Sequence, residues 1–224
     1  MHKLAIVGYG KMGRMIEALA PEYGFSVGAR IDVQDDLNGA RGADVAIEFS
    51  TPEAVVGNIE KLAALGVPVV VGTTGWLAEM DRVRAATEVH GTGLVWSPNF
   101  SIGVNVFSRL VQEAARLLAD EAQYGAWAWE IHHHTKKDAP SGTLLKLVRD
   151  MKDAGYERAI DTGSNRAGAH PGTHEVGFDS AADTITLRHS ARSREGFARG
   201  ALKAAKWVVG KKGVFEFEEV LFSG

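Results

Sequence analysis

Three histidines and two lysines crowd into residues 132–137 of the stretch EIHHHTKKDAPSGT, in a chain with only eight histidines and no cysteine. A metal site, an anion site and a solvated basic turn are all open readings of that density. Against a metal, His132, His133 and His134 are consecutive, and side chains on a strand alternate faces, so at most two could converge. Lys136 and Lys137 would also repel a cation, and no bound metal is expected. For an anion, APSGT opens what reads as a helix, which leaves the backbone N–H groups of Ser141, Gly142 and Thr143 free of partners inside it. The Thr143 hydroxyl adds a donor, and the lysines and histidines ring the place with more. Hydrogen bonds between cations and carboxylates are about twice as strong as neutral ones, so a dianionic acid suits the segment as ligand.

A second set of residues suits a dinucleotide. GYGKMG places Gly8, Gly10 and Gly13 at G-x-G-x-x-G spacing, directly after an apolar run and opening a helical one. The first glycine permits the tight turn, the second lets backbone approach a pyrophosphate, and the third lets helix and strand pack closely. The phosphates would sit on the free N–H groups of the helix start. Asp32 ends the next strand about 20 residues on, where a carboxylate accepts from ribose hydroxyls. GTTG, residues 72–75, stands at the carboxyl end of a further strand, and its small residues would let a nicotinamide ring lie close to the backbone. Without a ligand, the same residues would be a strand-end acid and two plain turns.

The elements that position these groups alternate through the first half. Residues 3–8, 25–32, 44–50, 67–75 and 93–99 read as strands, with helices at 11–20, 51–66 and 77–89 between them. Thr51 is the expected N-cap of the second helix, with Pro52 at its first position. Apolar strands separated by helices imply a parallel sheet covered on both faces, a doubly wound α/β domain. After Asn99 the rhythm changes. One amphipathic helix over 105–121, strands at 125–134, 173–180 and 183–191, a helix after Ser141 and a Gly-rich loop at 162–172 describe an α+β domain. A helix at 195–210 and a strand at 214–222 complete the chain.

Composition excludes several classes. The 224 residues carry 45% apolar and 24% charged side chains and a formal net charge of -3, which offers nucleic acid and anionic membranes no general attraction. No apolar run approaches the ~20 residues of a membrane span. The first residues already read as a strand and its turn, leaving no room for a signal peptide, and the lack of cysteine fits a reducing compartment. A cytoplasmic location is expected.

Taken in order, GYGKMGRMI, EFSTPE, VVVGTTG, SPNFSIGVNV and EIHHHTKKDAPSGT resemble the 4-hydroxy-tetrahydrodipicolinate reductase (dihydrodipicolinate reductase) family. RAGAHPGTHEVGF and RHSARSREGFARGALKAAKWVVGKKGVF extend the likeness over nearly the whole chain. The resemblance implies a Rossmann-type dinucleotide-binding domain of residues 1–101 plus 194–224, with an inserted α+β substrate and tetramerisation domain, 102–193. It implies NADH- or NADPH-dependent reduction of a cyclic dicarboxylate in diaminopimelate and lysine biosynthesis, by a homotetramer. His132 and Lys136 would be the catalytic pair, and His133, Lys136, Ser141, Gly142 and Thr143 would hold the substrate carboxylates. Gly8, Gly10, Lys11, Met12, Gly13, Asp32, Ser50, Gly72, Thr73, Thr74, Asn99 and Phe100 would bind the cofactor.

The sequence departs from the family in being short between its second and third strands and in the insert. Some members carry an arginine after the ribose carboxylate, where this chain has Val33; that favours NADH, with Lys11 or Arg30 left to meet the phosphate of NADPH. Glu48 stands where many members have Asp, and Thr135 replaces a histidine of some relatives. Lys136 would then deliver the proton, with His132 orienting or relaying. The rivals are an NAD-binding sensor without catalysis, which has no use for the lysine-histidine wall, and a zinc hydrolase, which would need bound metal.

Overall fold

The computed structural model describes residues 1–222. The chain divides into two compact units, Met1–Ile102 with Arg194–Gly224, and Gly103–Ser193. Among the described residues no helix is long and apolar enough to cross a membrane.

The first unit is built on a six-stranded parallel sheet. Its strands are β1 (His2–Val7), β2 (Phe25–Ile31), β3 (Val45–Glu48), β4 (Val69–Val71), β5 (Gly93–Trp96) and β10 (Gly213–Glu216), in the order β10-β5-β4-β3-β1-β2. The order reverses at β1, with β3 to one side and β2 to the other, and ligands of open α/β sheets sit at such a point. Alternation along β1 sorts the core into two layers. Leu4 and Ile6 pack with Ile16 of α1 (Lys11–Leu19) and with Ala201 and Leu202 of α6 (Glu195–Val208). Ala5 and Val7 pack with Ile59 of α2 (Val55–Ala64) and Val83 of α3 (Met80–His90). Strands buried on both faces need no polar alternation, which is why VAIE and VVV are buried at every position.

The second unit has a four-stranded sheet, β7-β6-β8-β9, from β6 (Gly125–His132), β7 (Ile160–Arg166), β8 (Thr173–Asp179) and β9 (Thr184–Ser190). The β6–β7 pair is parallel and the others antiparallel. Helices α4 (Ile102–Leu117) and α5 (Gly142–Asp153) close a core of Phe107, Val111, Leu144, Leu147 and Met151 over Ala128, Val176 and Phe178. Trp127 lies over Gly177, and Trp129 over Gly163. Ala128 and its direct neighbour Val176 face the helices, so these tryptophans occupy the opposite side of the sheet.

Four expectations about elements are corrected. Thr51 does not cap α2: its carbonyl accepts from Ala54 and Val55 while its hydroxyl serves the Glu53 carboxylate, and the helix begins three residues after Pro52. The Gly-rich segment is not a loop throughout, because residues 162–166 complete β7 through parallel pairing with β6, a long-range partner that no local pattern announces. The strand ends at His132, so His133 and His134 leave the sheet. The terminal strand stops at Glu216, where the Glu219 carboxylate accepts from the Glu216 N–H at 2.8 Å and starts α7 (Phe217–Phe222) in the manner of a capping box.

Candidate functional site

The polar end of the second sheet is a row of side chains directly opposite one another. Ser164 on β7 pairs with Glu130 on β6, Glu130 with His174 on β8, and His174 with His189 on β9. Directly opposed residues share a face, so the row crosses the whole sheet. One pleat away lies the apolar row containing Ala128, Val176 and Leu187, and beyond Glu130 come His132 and its neighbour Arg166. The helix-covered face thus changes from hydrocarbon to charge within two residues.

Glu130 is completely buried yet holds its charge. Burial pushes its carboxyl up, but the Ser141 and Ser164 hydroxyls, the Ser141 N–H and Arg166 outweigh this and hold it at about 2. Oε1 accepts from the Ser141 N–H at 2.8 Å, the Ser164 hydroxyl at 2.8 Å and the Arg166 guanidinium at 3.0 Å. Oε2 accepts from the Ser141 hydroxyl and lies 3.4 Å from His132 Nδ1 and 3.3 Å from His174 Nε2. Burial lowers the proton affinity of His132, with the Glu130 charge opposing it and Lys136 and Arg166 adding to it. Burial, then the neighbouring His132, lowers His174 to about 4, and burial lowers His189.

The segment that follows β6 departs from the sequence expectation at Ser141. That residue was expected to offer a free N–H to an anion, but its N–H and hydroxyl both go to Glu130, and its oxygen caps α5 by accepting from Leu144 N–H at 3.2 Å. The donors of the helix start not so engaged belong to Gly142, which is exposed, and Thr143, which is partly exposed. A carboxylate of the chain already lies there: Asp138 sits 2.8 Å from Lys136 Nζ, and Lys136 first, with the Asp138 and Gly142 N–H groups in support, lowers its pKa. His133 pairs with the Thr135 hydroxyl at 2.7 Å, and His134 Nδ1 turns to the Gly168 carbonyl at 2.8 Å. His132 alone of the three is buried, boxed between Glu130, His174 and Gly172, whose φ of +134° and lack of Cβ leave room for the imidazole Nε2 edge.

Glu130, His132 and His174 bring possible metal-ligand atoms within 4.8 Å of one another. Chemistry disfavours a cation among them, because the carboxylate already accepts from four donors and the Arg166 charge lies 3.0 Å from one of its oxygens.

In the first unit a cavity of about 470 Å³ lies at the carboxyl ends of the strands, lined by Gly10, Lys11, Met12, Ser50, Gly72, Thr73 and Thr74 of the expected cofactor residues. Its fit to a dinucleotide rests on the glycines and the helix start. A Cβ on Gly8, at φ +87°, would collide with the Phe49 carbonyl, and one on Gly13 with the Gly8 carbonyl, so both glycines serve close packing of the chain. Gly10 has open space at its Cβ position, which is where a phosphate could approach the backbone. No side chain caps α1, so its first N–H groups are left to a ligand or water. Asp32 is exposed just past Ile31, whose carbonyl accepts from the Gly8 N–H at 2.8 Å; the Asp32 carboxylate accepts from the Val33 N–H.

Several expected cofactor residues also have structural work in this unit. Gly72 lines the cavity and also makes room for the Phe49 ring, which lies where its Cβ would be. The Thr73 hydroxyl accepts from the Ser50 N–H at 2.8 Å and ties two strand ends together. The Phe100 ring is buried against Phe217 and Phe49, so it faces the core. Asn99 caps its own turn, its side-chain oxygen accepting from Ser101 N–H at 2.9 Å. Arg30 is held by Glu17 and is thereby committed elsewhere than to a phosphate. Glu48 is buried, its pKa raised by burial against hydrogen bonds from Ser50, Thr73 and Asn58. Phe49, Pro52 and Arg194 line the cavity without having been expected; Arg194 follows Ser193, where the chain re-enters this unit, and no local motif marks it.

Comparison with known proteins covers both units. Residues 2–100 match the model "Dihydrodipicolinate reductase, N-terminus" and residues 103–221 match "Dihydrodipicolinate reductase, C-terminus". A protein of Christiangramia forsetii, 4-hydroxy-tetrahydrodipicolinate reductase, is 36% identical over 232 residues, 97% of either chain. The protein of the same name from Ralstonia nicotianae is 36% identical, over 98% of this chain and 99% of its own. Among solved structures, a dipicolinate-bound dihydrodipicolinate reductase from a Paenisporosarcina species superimposes with a TM-score of 0.79 over 99% of this chain and all of the other; at 22% identity that likeness speaks to the fold.

Proposed function

The chain belongs to the dihydrodipicolinate reductase family, and on that premise we propose that it reduces the dehydrated ring of 4-hydroxy-tetrahydrodipicolinate to tetrahydrodipicolinate in diaminopimelate and lysine biosynthesis. It is an oxidoreductase whose first unit has the Rossmann-type fold of nicotinamide-dependent enzymes. One observation carries the assignment of substrate chemistry to the second unit. At the α5 start, a lysine and backbone amides already bind a carboxylate, that of Asp138, beside the buried His132. A substrate carboxylate would replace it on Lys136 and on the N–H groups of Gly142 and Thr143, with His133 and the Thr143 hydroxyl as further donors. Ser141 would act at one remove, by holding the helix start through its bonds to Glu130.

A bound reduced nicotinamide supplies the hydride. The amides of the α1 start and Lys11 would hold its pyrophosphate, and Asp32 its adenosine ribose. The ring carbon next to the one reduced must gain a proton, and Lys136 is the group in this reading that delivers it, with His132 orienting or relaying. Asp32 would repel a 2′-phosphate, Val33 brings no guanidinium to offset that, and Arg30 is engaged by Glu17, which supports NADH as the preferred cofactor. Lys11 on the cavity wall leaves NADPH tolerated. Domain roles follow: residues 1–101 with 194–224 bind the dinucleotide, and 102–193 bind substrate and form a homotetramer, in the cytoplasm. The test is oxidation of NADH and of NADPH, followed at 340 nm, with enzymatically generated heterocycle as the second substrate. Cofactor binding without heterocycle-dependent oxidation would return the protein to a sensor.

A further inference from the structure

We infer that Glu130 is the positioning residue of the second unit's site, acting on the substrate carboxylate through Ser141 and on proton transfer through His132. The inference rests on the reading above for its consequence in catalysis, but not for its geometry.

Three features set Glu130 apart. It is wholly buried, and its two oxygens gather Ser141, Ser164, Arg166, His132 and His174 from β6, β7, β8 and the α5 start onto one point. Through the Ser141 N–H and hydroxyl it fixes the residue that caps α5, and with it the direction of the Gly142 and Thr143 amides. Its charge is also the nearest anion to the His132 Nδ1 edge, at 3.4 Å. The groups facing His132 are Glu130 on its own strand, Arg166 on β7, His174 on β8, and Lys136 and Asp138 on the following segment. Glu130 and Asp138 raise its proton affinity, while Lys136 and Arg166 lower it. A neutral amide at Glu130 would leave His132 with burial and two cations against its proton. The carboxylate also leaves Arg166 no need to turn elsewhere, since the same guanidinium bridges Glu130 and the Asp138 carbonyl.

The experiment compares Glu130→Gln, Arg166→Gln and the parent protein by NMR titration of the imidazoles and by steady-state kinetics. Opposite shifts are expected for His132: its pKa falls in Glu130→Gln and rises in Arg166→Gln. In Glu130→Gln, kcat should fall roughly 10–100-fold, the scale of losing a partner that orients a working histidine. The pH limb of kcat should move with the His132 titration, while KM for NADH stays unchanged. A merely structural role would lower stability without moving either the titration or the pH limb, and that result overturns the inference. So do shifts of the same sign in both variants. Should neither variant fold, the parent protein still answers: the Glu130 carboxyl, followed by its carbon shift, should titrate near 2, and a Glu130 protonated at neutral pH refutes the role. Absence of heterocycle-dependent NADH oxidation in the parent would sink the functional reading alone, because the titrations do not depend on it.

Discussion

Acid should weaken this protein through His174, and the size of the effect follows from its burial. The imidazole is 5% exposed and its pKa is lowered from 6.5 to about 4, first by burial and then by His132, against the pull of Glu130. In the unfolded chain the same ring takes a proton as pH falls through 6.5. Between about 6.5 and 4 the unfolded state therefore binds more protons than the folded one, and stability falls with pH across that window. A full proton difference is worth about 1.4 kcal/mol per pH unit, so lowering the pH from 7 to 5 should remove about 2 kcal/mol on account of His174, rising to ~3 kcal/mol below pH 4. Glu130 has its own window, lower down: its stability contribution is present above 4.5 and is lost as pH falls towards 2. Urea unfolding at pH 7 and pH 5, for the parent and for His174→Gln, isolates the term. His132 and His189 are shifted in the same direction and titrate in both proteins, so the difference between the two reports His174 together with its coupling to His132. The variant, with no proton to gain, should lose about 2 kcal/mol less on acidification. Equal losses would mean that His174 is not held neutral beside Glu130, and the buried row would need another account.

Lys136→Ala should lower kcat by about 10²–10⁴-fold with little change in KM for NADH, and near-normal turnover at saturating substrate would remove Lys136 as the proton donor. Thr143→Val should weaken inhibition by an aromatic 2,6-dicarboxylate by about 1–3 kcal/mol, since a hydrogen bond to a charged group is lost; an unchanged inhibition constant would place the carboxylate elsewhere. Asp32→Ser should raise KM for NADH and leave or lower that for NADPH, and a parent protein that binds NADPH tenfold more tightly than NADH would contradict the role given to Asp32.

The physics of the first unit was open to reading from local order. Glycine spacing, an apolar strand before it and helical periodicity after it are short-range features, and the packing of Gly8 against Phe49 and of Gly13 against Gly8 answers to them. Alternation of strand and helix likewise implies a parallel sheet whatever its strand order. The density of His132, Lys136 and their neighbours also marks the second site within a few residues of sequence. What local order could not announce was pairing across the chain. Glu130, Ser164, His174 and His189 lie far apart in sequence, and only the register of β7-β6-β8-β9 sets them in one row. Glu130, His174 and His189 alone read as ordinary strand residues and Ser164 as part of a loop, so nothing local announces the buried carboxylate or that the Ser141 N–H is spent on it. Gly72 shows the same limit in an apolar setting, since its small size also makes space for Phe49, a neighbour that its local sequence does not announce. Sequence declares which chemical groups are at hand and which faces they share over a few residues. Which of them are desolvated together, and so which must carry a charge and which must surrender a proton, depends on neighbours that only the folded chain brings within a few ångströms.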